Sequence, residues 1–503
     1  MSRPAKLVLA VVDALKPAML ERAVATGRAP ALALLMERGE YVADCVAAYP
    51  SVTPACAASI ATGAGPDRHH IPSMNWYSRR EGRYVEYGSS FQASRTFGIK
   101  RSLTDTVYNM NAEHLSAATP TVFESLDDAD VRTAGTTYLM YRGRHRHEVS
   151  TDTALTRLAT TVFRRGVDGP REFFYADLFA SRRTGCRSQL GLPGIRDQHA
   201  GCVGSYLVDH DLFDFLLLSL PDNDTWSHKH GPHAQVASIA EADRQLERLM
   251  HAGGGPDPFL REHAVVVCSD HSQSAIEERI DLRMAFDGWE VLPPGGPARE
   301  AEIALCPASR SAMAYVLDRR RRRTLLPRME RTALALEGVD LVMRLTDHPD
   351  GEALVRSARG DLRFSPGGSL QDLRGGRWTV EGDLEALELE IDSGTVTSAT
   401  YPDALARIWA SLRCPGSGEL LLSAAPGHEF LDWGGADHVG GGSHGSLHAN
   451  DSLGALLWCG EGLPAARERA QWTLRDIAPM ILGFFGAAPG SERATAAASG
   501  GHG

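Results

Sequence analysis

The sequence predicts an α/β protein whose core is a central, mostly parallel sheet flanked by helices, with a cap domain inserted into that core. Short, fully apolar runs such as residues 6–12 and 263–268 suit strands buried on both faces, and helical patterns follow several of them. Between residues 282 and 414 the pattern changes to short alternating strands with glycine turns, which indicates an insertion. At 503 residues and 43% hydrophobic content, the chain is long enough to bury two cores.

These changes of pattern set the predicted domain boundaries. Residues 1–281 and 415–485 form the predicted core, which resumes with a strand at 419–423, and residues 282–414 form the inserted cap domain. Residues 486–503 are low in complexity and rich in Gly, Ala and Ser, so we expect a disordered tail there.

Composition limits the kinds of binding partner and the cellular compartment that we expect for this protein. A formal net charge of -11 disfavours a general nucleic-acid binder, whose surface would be basic. The apolar run near the N-terminus is too short for a signal peptide or a membrane span, so the expectation is a cytoplasmic protein without a membrane partner. The cysteines form no CxxC pair, and Cys45, Cys268 and Cys459 lie in apolar runs, which predicts buried, reduced thiols.

A hydroxyl group stands at the predicted start of a helix in the segment YPSVTPACAASIATG. The apolar run 42–49 suits a strand, Pro50 and Ser51 end it, and Thr53 followed by Pro54 is typical of an N-cap with proline at the first helical position. Unpaired amides and the helix dipole make such a position suitable for holding a phosphate-like anion. An ordinary capping threonine would give the same local pattern.

Metal-competent side chains follow the ends of several predicted strands, which is where open α/β sheets bind their ligands. With Thr53 at their centre, the predicted ligands are Asp13, Asp224, His228, Asp270, His271 and His444. Three carboxylates and three imidazoles suit two mixed nitrogen and oxygen sites, which favours Zn²⁺ over Mg²⁺ or Ca²⁺ and leaves manganese and iron open. Two such ions would clamp the attacking and leaving oxygens of a phosphoryl transfer.

The motifs VVDAL, YPSVTPA, HHIPSMNW, PDNDTWSHKHGP, SDHS and GGSHGS occur in this order along the chain. In that order the chain resembles the nucleotide pyrophosphatase/phosphodiesterase (type I phosphodiesterase) branch of the alkaline phosphatase superfamily. The resemblance covers a little over two fifths of the chain. It implies an alkaline-phosphatase-like catalytic core and a hydrolase that acts on phosphate esters with two divalent metal ions.

The resemblance also implies roles for single residues. One ion would be held by Asp13, Thr53, Asp270 and His271, and the other by Asp224, His228 and His444. Thr53 would attack phosphorus and form a phosphoryl-threonine, and Asn75 would donate a hydrogen bond to a phosphoryl oxygen.

Several assignments have rivals in the sequence. Ser51 competes with Thr53 as the nucleophile but precedes the helix start, Asp222 competes with Asp224, and His448 competes with His444. The spacing of four residues between Asp224 and His228 matches the family's spacing, whereas that from Asp222 does not. His230 and His233 could be supporting or substrate-contacting groups.

The chain also departs from the family's pattern. Pro54 has no N–H, so a backbone donor just after the nucleophile is missing, and the aromatic residue that often follows the nucleophile under a nucleotide base is absent. The basic run YRGRHRH lies where the family has a loop near the substrate. Arg142 and Arg144 are therefore predicted to bind an acidic group of the substrate, although a solvated loop is equally consistent with the run.

The sequence thus predicts a two-metal phosphodiesterase or pyrophosphatase acting on a small phosphate-ester substrate, of undetermined oligomeric state. The alternative is a phosphomonoesterase or a phosphonate hydrolase that uses the same metal site. A sulfatase is disfavoured, because Thr53 stands where sulfatases need Cys or Ser and Ala57 stands where they need Arg. A metal-binding protein without turnover is disfavoured by the complete ligand set.

Overall fold

The computed structural model describes residues 5–150, 165–348 and 351–487 of the chain. Two large sheets dominate the described residues, one of eight strands, called here the core sheet, and one of nine strands, called here the second sheet. The predicted tail from residue 488 onward lies outside the described residues, and the helix Ile477–Phe485 with its C-cap Gly486 precedes it.

The core sheet is mostly parallel, as predicted. Its central strand pairs in parallel with the neighbour on either side, and only Leu453–Cys459 and Phe179–Ala180, among the described strands, run against the others. Across the sheet the strands are Glu40–Val46, Leu453–Cys459, His263–Cys268, Lys6–Val12, Phe215–Leu220, Thr133–Thr136, Glu172–Tyr175 and Phe179–Ala180. The continuous apolar runs therefore form strands that are buried on both faces.

Alternate residues of the central strand Lys6–Val12 face two different layers of helices, as expected of a pleated strand. Val8, Ala10 and Val12 belong to one hydrophobic cluster, and Leu7, Leu9 and Val11 belong to another. Helices that supply buried residues to the first cluster are Pro17–Ala25, Pro30–Arg38, Arg196–Asp209, Val236–Ala252 and Pro256–Glu262. Helices on the other face are Thr53–Thr62, Val122–Asp127 and Ile477–Phe485.

The second sheet is built mainly from antiparallel strands of the segment predicted to be inserted. Its strands are Ile303–Ala308, Ser311–Val316, Leu420–Ala424, Val339–Leu345, Ala353–Ser357, Gly360–Gln371, Arg377–Gly382, Thr395–Thr397 and Glu390–Asp392. The helices Arg322–Leu334 and Ala404–Leu412 accompany it. The strand predicted at 419–423 as the return to the core, Leu420–Ala424, pairs with Ser311–Val316 and Val339–Leu345 in this sheet instead. The domain boundaries at 281, 414 and 485 stay predictions.

Smaller elements lie between and beside the two sheets. A three-stranded sheet joins Gly427–Phe430, Ser274–Ile280 and Gly442–Ser443, and two-stranded ribbons join Asn75–Ser78 to Arg83–Glu86 and His145–His147 to Val167–Gly169. The remaining helices include Pro66–His69, Phe91–Phe97, Ile99–Thr104, Asp105–His114, Asp222–His230, Leu282–Ala285 and Ala449–Ser452. The segment from 76 to 118 thus contains short strands and short helices.

The cysteines follow the prediction only in part. Cys45 and Cys268 are buried and unpaired, and Cys459 is unpaired and half-buried. Cys186 and Cys202, however, form a disulfide with a Cα–Cα distance of 5.8 Å, so the prediction of reduced thiols is wrong for this pair. Their separation of 16 residues gives no local signal, and folding of the loop onto the helix Arg196–Asp209 brings them together.

None of the helices in the described ranges combines the length and the apolar character needed to cross a bilayer.

Candidate metal centre

Three neighbouring parallel strands carry predicted ligands at their carboxyl ends. Asp13 follows Lys6–Val12, Asp270 and His271 follow His263–Cys268 closely, and the helix Asp222–His230 starts just after Phe215–Leu220. Because parallel strands end at one edge of a sheet, this topology gathers the side chains into one place.

The first ligand group consists of Asp13, Asp270 and His271, with the Thr53 hydroxyl beside it. Nε2 of His271 lies 3.6 Å from Oδ1 of Asp13, 3.4 Å from Oδ2 of Asp270 and 3.2 Å from Oγ1 of Thr53. One ligand atom from each of the three ligands lies within 4.8 Å of the other two. This is the set that the family resemblance assigns to one ion.

The second ligand group consists of Asp224, His228 and His444. Nε2 of His228 lies 3.3 Å from Oδ2 of Asp224, and Nε2 of His444 lies 3.8 Å from Oδ1 of Asp224. The rings of His271 and His444 are stacked with their centroids 3.7 Å apart, and Asp224, His271 and His444 also form a compact cluster of ligand atoms. His271 therefore lies at the junction of the two groups.

All three histidines present the same ring nitrogen to the centre. Nδ1 donates to a backbone carbonyl in each: His228 to Gly442 O at 2.8 Å, His271 to Ser272 O at 3.1 Å, and His444 to Ser51 O at 2.8 Å. Since a carbonyl oxygen only accepts, these bonds place the proton on Nδ1 and leave Nε2 with its lone pair. This is the arrangement found in metal-ligating histidines.

The carboxylates are crowded, which shifts their acidity. Burial, together with the charges of Asp270 and Asp224, raises the pKa of Asp13 well above its ordinary value. Burial also raises the pKa of Asp270 to about 6. Burial opposes ionisation of Asp224 as well, but the adjacent His228, His444 and His271 outweigh it and hold the pKa of Asp224 well below the usual range.

The imidazoles respond differently in the two groups. Burial lowers the pKa of His271 to about 4 and that of His444 to about 3. Burial lowers the pKa of His228 too, yet the carboxylate of Asp224 and, more weakly, that of Glu429 raise it above the ordinary value. Neutral His271 and His444 are ready to bind a cation, whereas a proton competes more strongly with a cation for His228.

These residues fit a pair of divalent cations. Oδ1 of Asp13 is buried and has no hydrogen-bond partner among the described residues, and the Nε2 atoms of the three histidines lie between 3.3 and 3.8 Å from carboxylate oxygens. Buried carboxylates without compensating cations are costly, and ions between them would remove that cost. Asp13, Thr53, Asp224 and His228 are half-buried, so this side of the centre is open to solvent.

Side chains that the sequence did not single out hold the ligands in place. Nδ2 of Asn223 donates to Asp13 O at 2.8 Å, Nε2 of Gln235 donates to Ala14 O at 2.8 Å, and Nε2 of Gln273 donates to Oδ1 of Asp224. Ala14 has a φ of 56° and donates its N–H to Oδ1 of Asp270 at 3.1 Å. Asn223 and Gln273 lie within two residues of predicted ligands in sequence, so their proximity to the site could have been predicted. Gln235 has no predicted ligand so close to it in sequence.

Thr53 is the first residue of its helix, and Val52 is the N-cap. The prediction of Thr53 as the N-cap is therefore wrong by one position, because the extended backbone ends at Val52 and Thr53 is already helical. The hydroxyl of Thr53 is consequently not used in capping and instead points to His271.

The structure separates the rivals of three predicted residues. Ser51 is fully buried, and its hydroxyl donates to Ser446 O at 2.8 Å. Asp222 accepts hydrogen bonds from Nε of Arg196 at 2.8 Å and from two backbone amides. Nδ1 of His448 accepts from the N–H of Asn450 in a helix cap. All three therefore have structural partners away from the ligand atoms, which favours Thr53, Asp224 and His444.

His230 and His233 are exposed. The ring of His230 stacks on Trp226, with centroids 4.1 Å apart, on the same helix as Asp224 and His228. His438, which the sequence did not single out, is the histidine that stacks on the ligand His228, at 4.0 Å.

Asn75 is buried in the ribbon strand Asn75–Ser78. Its Nδ2 donates to Val85 O at 3.2 Å and to Oε2 of Glu86 at 3.0 Å, and its Oδ1 has no partner within the described part of the chain. Burial raises the pKa of Glu86 to about 7. Both hydrogens of the Asn75 amide are thus already engaged, and its role as a phosphoryl-oxygen donor stays a prediction.

Arg142 and Arg144 bind within the protein. Nε of Arg142 bonds to Oε2 of Glu124 at 3.0 Å, and its other nitrogens bond to the carbonyls of Leu115, Ser116 and Thr119. Arg144 pairs with Glu124 and Asp128, and nearly half of its side chain is exposed. These bonds disfavour Arg142 as a substrate contact more strongly than Arg144, and both roles stay predictions.

Comparison with known proteins agrees with this geometry. The profile of the family described as type I phosphodiesterase / nucleotide pyrophosphatase matches residues 7–353, a range that holds every predicted ligand except His444. No curated protein matches the chain by sequence.

Solved structures share the fold across nearly the whole chain. Mouse ectonucleotide pyrophosphatase/phosphodiesterase 5 superimposes with a TM-score of 0.57 at 11% identity, covering 96% of both chains. Phosphonoacetate hydrolase from Sinorhizobium meliloti 1021, in complex with phosphonoformate, gives a TM-score of 0.55 at 18% identity, covering 96% of this chain and 95% of the other. At these identities the likeness concerns the fold.

Proposed function

Since the chain belongs to the type I phosphodiesterase/nucleotide pyrophosphatase family, we propose that it cleaves phosphodiester or pyrophosphate bonds through a phosphoryl-threonine on Thr53. The observation that carries this proposal is the position of the Thr53 hydroxyl, 3.2 Å from Nε2 of His271 at the junction of the two ligand groups. A hydroxyl among cation ligands at a helix start is placed to act as a nucleophile on a bound phosphate.

Two divalent ions fit the donor set, and Zn²⁺ suits its mixture of imidazole and carboxylate best. Asp13, Thr53, Asp270 and His271 would hold one ion, and Asp224, His228 and His444 would hold the other. Bound ions would supply positive charge that lowers the pKa of the Thr53 hydroxyl and neutralises the charge of the phosphoryl group.

The bond changes centre on Thr53. Its Oγ1 forms a bond to phosphorus while the bond from phosphorus to the leaving oxygen breaks, and the hydroxyl proton passes through solvent to the leaving oxygen. A water molecule then attacks the phosphoryl-threonine, and the bond from phosphorus to Oγ1 breaks. One proton of the water restores the hydroxyl of Thr53, and the product leaves as a phosphate monoester. The Nδ1 bonds of the three histidines keep the ligand rings fixed through both steps.

Asn75 would donate to a phosphoryl oxygen once its amide is released from Glu86 or Val85 O. Arg144, the more exposed of the two predicted arginines, would meet an acidic leaving group only by giving up Asp128. The predicted partner remains a small phosphate-ester substrate, with no nucleic acid and no membrane. For the cytoplasmic location, the unpaired cysteines count in favour and the Cys186–Cys202 disulfide counts against.

Phosphonate hydrolysis is the second candidate, together with phosphomonoester hydrolysis. The fold likeness to phosphonoacetate hydrolase, at a TM-score close to that of the phosphodiesterase, favours the phosphonate member of this pair. The absence of an aromatic residue after Thr53, where Pro54 and Ala55 stand, points away from nucleotide recognition.

The test is hydrolysis of bis-p-nitrophenyl phosphate, p-nitrophenyl phosphate, a p-nitrophenyl nucleotide ester and phosphonoacetate by zinc-loaded wild type and Thr53→Ala. We expect the wild type to prefer the diester, and we expect turnover by Thr53→Ala to be more than about 100-fold lower than that of the wild type. Thr62→Ala is the matched control, because Thr62 lies on the same helix with its hydroxyl bonded to Ala58 O.

Mass spectrometry of acid-quenched enzyme locates the covalent phosphoryl group. We expect it on the peptide that contains Thr53, in wild type, Thr62→Ala and Ser51→Ala. A label that survives in Thr53→Ala, or disappears in Ser51→Ala with metals bound, would overturn the assignment of the nucleophile. A preference for phosphonoacetate or for the monoester would select the second candidate instead.

A further inference from the structure

His438 lies in the glycine-rich loop at residues 434–442, and its ring stacks on the metal ligand His228. The ring centroids are 4.0 Å apart and the ring planes are 28° from parallel. His228 is also held at its edge by the same loop, because its Nδ1 donates to Gly442 O at 2.8 Å. One loop thus fixes both the face and the edge of this ligand ring.

A buried carboxylate holds His438 in turn. Oε2 of Glu429 lies 3.0 Å from Nδ1 of His438, and the backbone N–H of His438 donates to Oε1 of the same carboxylate. Glu429 is 1% exposed and stands on the strand Gly427–Phe430, which pairs with Ser274–Ile280. The two bonds to one carboxylate leave the His438 ring little freedom to rotate.

The loop also lies against the backbone of the helix that bears His228. A Cβ atom at Gly441 would stand 2.0 Å from His228 O, so only glycine allows this approach. The N–H of Gly441 donates to His438 O at 2.8 Å, which closes the turn that presents the His438 ring.

The two ligand groups differ in charge. The first contains two carboxylates, Asp13 and Asp270, whereas the second contains one, Asp224, with two imidazoles. Glu429 adds a second negative charge on the side of His228, and His438 contacts both residues. A site with fewer anionic ligands depends more on such outer partners to bind and orient a cation.

We propose that Glu429 and His438 are positioning residues of the second metal, which fix the His228 ring by stacking and add a negative charge beside it. The inference rests on the proposed two-metal site. It concerns binding of the second ion rather than the reaction, so ion binding tests it separately from ester hydrolysis.

The experiment measures the affinity of both ions in metal-free protein. Cobalt titration followed by visible absorption, and zinc competition against a chromophoric chelator, resolve two binding steps. The first step is binding to the first ligand group, and the second step is binding to the second ligand group. We expect His438→Ala to weaken the second step by about 10- to 100-fold and to leave the first within about threefold. His438→Phe keeps an aromatic face without the Glu429 bond, and Glu429→Gln keeps the ring but removes the charge. Both variants should therefore lose less affinity at the second step than His438→Ala does.

His210→Ala is the matched control. His210, at the C-cap of the helix Arg196–Asp209, also stacks on an aromatic ring, that of Tyr206, with the ring centroids 4.1 Å apart. We expect this variant to bind both ions as the wild type does. Circular dichroism and thermal unfolding of each metal-free variant check that the fold is intact.

Three results would overturn the inference. They are an unchanged second step in His438→Ala, an equal loss of both steps, or a wild type that binds a single ion. Loss of hydrolysis in His438→Ala with both ions bound normally would also overturn it, since His438 would then act on the substrate. If the expected binding pattern holds but no ester is cleaved by the wild type, the inference stands and the proposed function fails.

Discussion

The two ligand groups are built from different kinds of backbone. Asp13 directly follows the strand Lys6–Val12 of the core sheet, and Asp270 and His271 follow the adjacent parallel strand His263–Cys268 after Ser269. Asp224 and His228 stand on the short helix Asp222–His230, and His444 stands in a loop that follows the strand Gly442–Ser443. The first group therefore takes its geometry from the core sheet, whereas the second takes it from side chains and glycines around it.

This difference shows in what each group needs for support. In the first group, the backbone N–H groups of Ala14 and His271 both donate to Oδ1 of Asp270, and the side chains of Asn223 and Gln235 donate to the backbone carbonyls of Asp13 and Ala14 rather than to ligand side chains. The second group uses the side chains of Gln273 and His438, and the close approach of Gly441 to His228. Substitutions at positions other than the ligands should therefore affect ion binding by the second group more often than ion binding by the first.

Removing a ligand of the first group should have the largest effect. In Asp270→Asn, the amide replaces a carboxylate that accepts two backbone N–H groups and faces His271, so one negative charge is lost from a group with two. We expect loss of the first binding step in a zinc titration and a fall in turnover of more than about 100-fold.

Asp222→Asn is the control for Asp270→Asn, because Asp222 is also a carboxylate that follows the end of a core-sheet strand, but it is half-buried and pairs with Arg196. It should keep both zinc-binding steps. If Asp222→Asn abolished one step and Asp270→Asn did not, the ligand assignment at these strand ends would be wrong.

A smaller effect should follow from crowding the loop beside the second group. In Gly441→Ala the new methyl group would meet His228 O, so the loop or the helix must shift. We expect the second binding step to weaken by about tenfold, the first to remain, and the free energy of unfolding to fall by about 1–3 kcal/mol.

Gly483→Ala is the matched glycine substitution, since a Cβ atom there meets nothing within 4 Å on the helix Ile477–Phe485. Chelator competition measures ion affinity and thermal unfolding measures stability in both variants. Equal loss of both ions in Gly441→Ala would mean that the two groups are not supported independently.

The contrast also explains what the sequence could predict. Asp13, Asp270 and His271 stand out because a polar residue directly follows a fully apolar run, and this local pattern survives folding unchanged. The strand Leu420–Ala424 is equally apolar, but nothing local says which sheet it joins, and it pairs in the second sheet rather than in the core sheet. The family and the α/β fold were predicted correctly because they depend on the order of such runs.

Residues that support the second group escaped prediction for a physical reason. Glu429 and His438 meet only because a loop folds across a ligand helix, and Arg310 donates its N–H to His444 O from the second sheet at 2.8 Å. Such contacts join positions far apart in sequence, and each residue alone is typical of a solvated loop. The Cys186–Cys202 disulfide was missed because a separation of 16 residues gives no local signal of pairing.

The smallest expected effect is a difference in how the two ions respond to pH. A proton competes with a cation for each ligand, so a ligand whose pKa is high loses affinity first as pH falls. Burial lowers the pKa of His228, but Asp224 outweighs it and raises the pKa above the ordinary value, whereas burial lowers the pKa of His271 to about 4 and raises that of Asp270 to about 6.

Burial and the charges of Asp270 and Asp224 also raise the pKa of Asp13 well above its ordinary value. As pH falls from about 8 to about 5, Asp13 and Asp270 in the first group and His228 in the second should therefore take up protons in the metal-free protein. We expect both binding steps to weaken over this interval, the first more steeply, because two of its ligands gain a proton against one in the second. Zinc competition at three pH values measures this directly. Equal weakening of both steps across the interval would show that protons and ions do not distinguish the strand-end group from the helix-and-loop group.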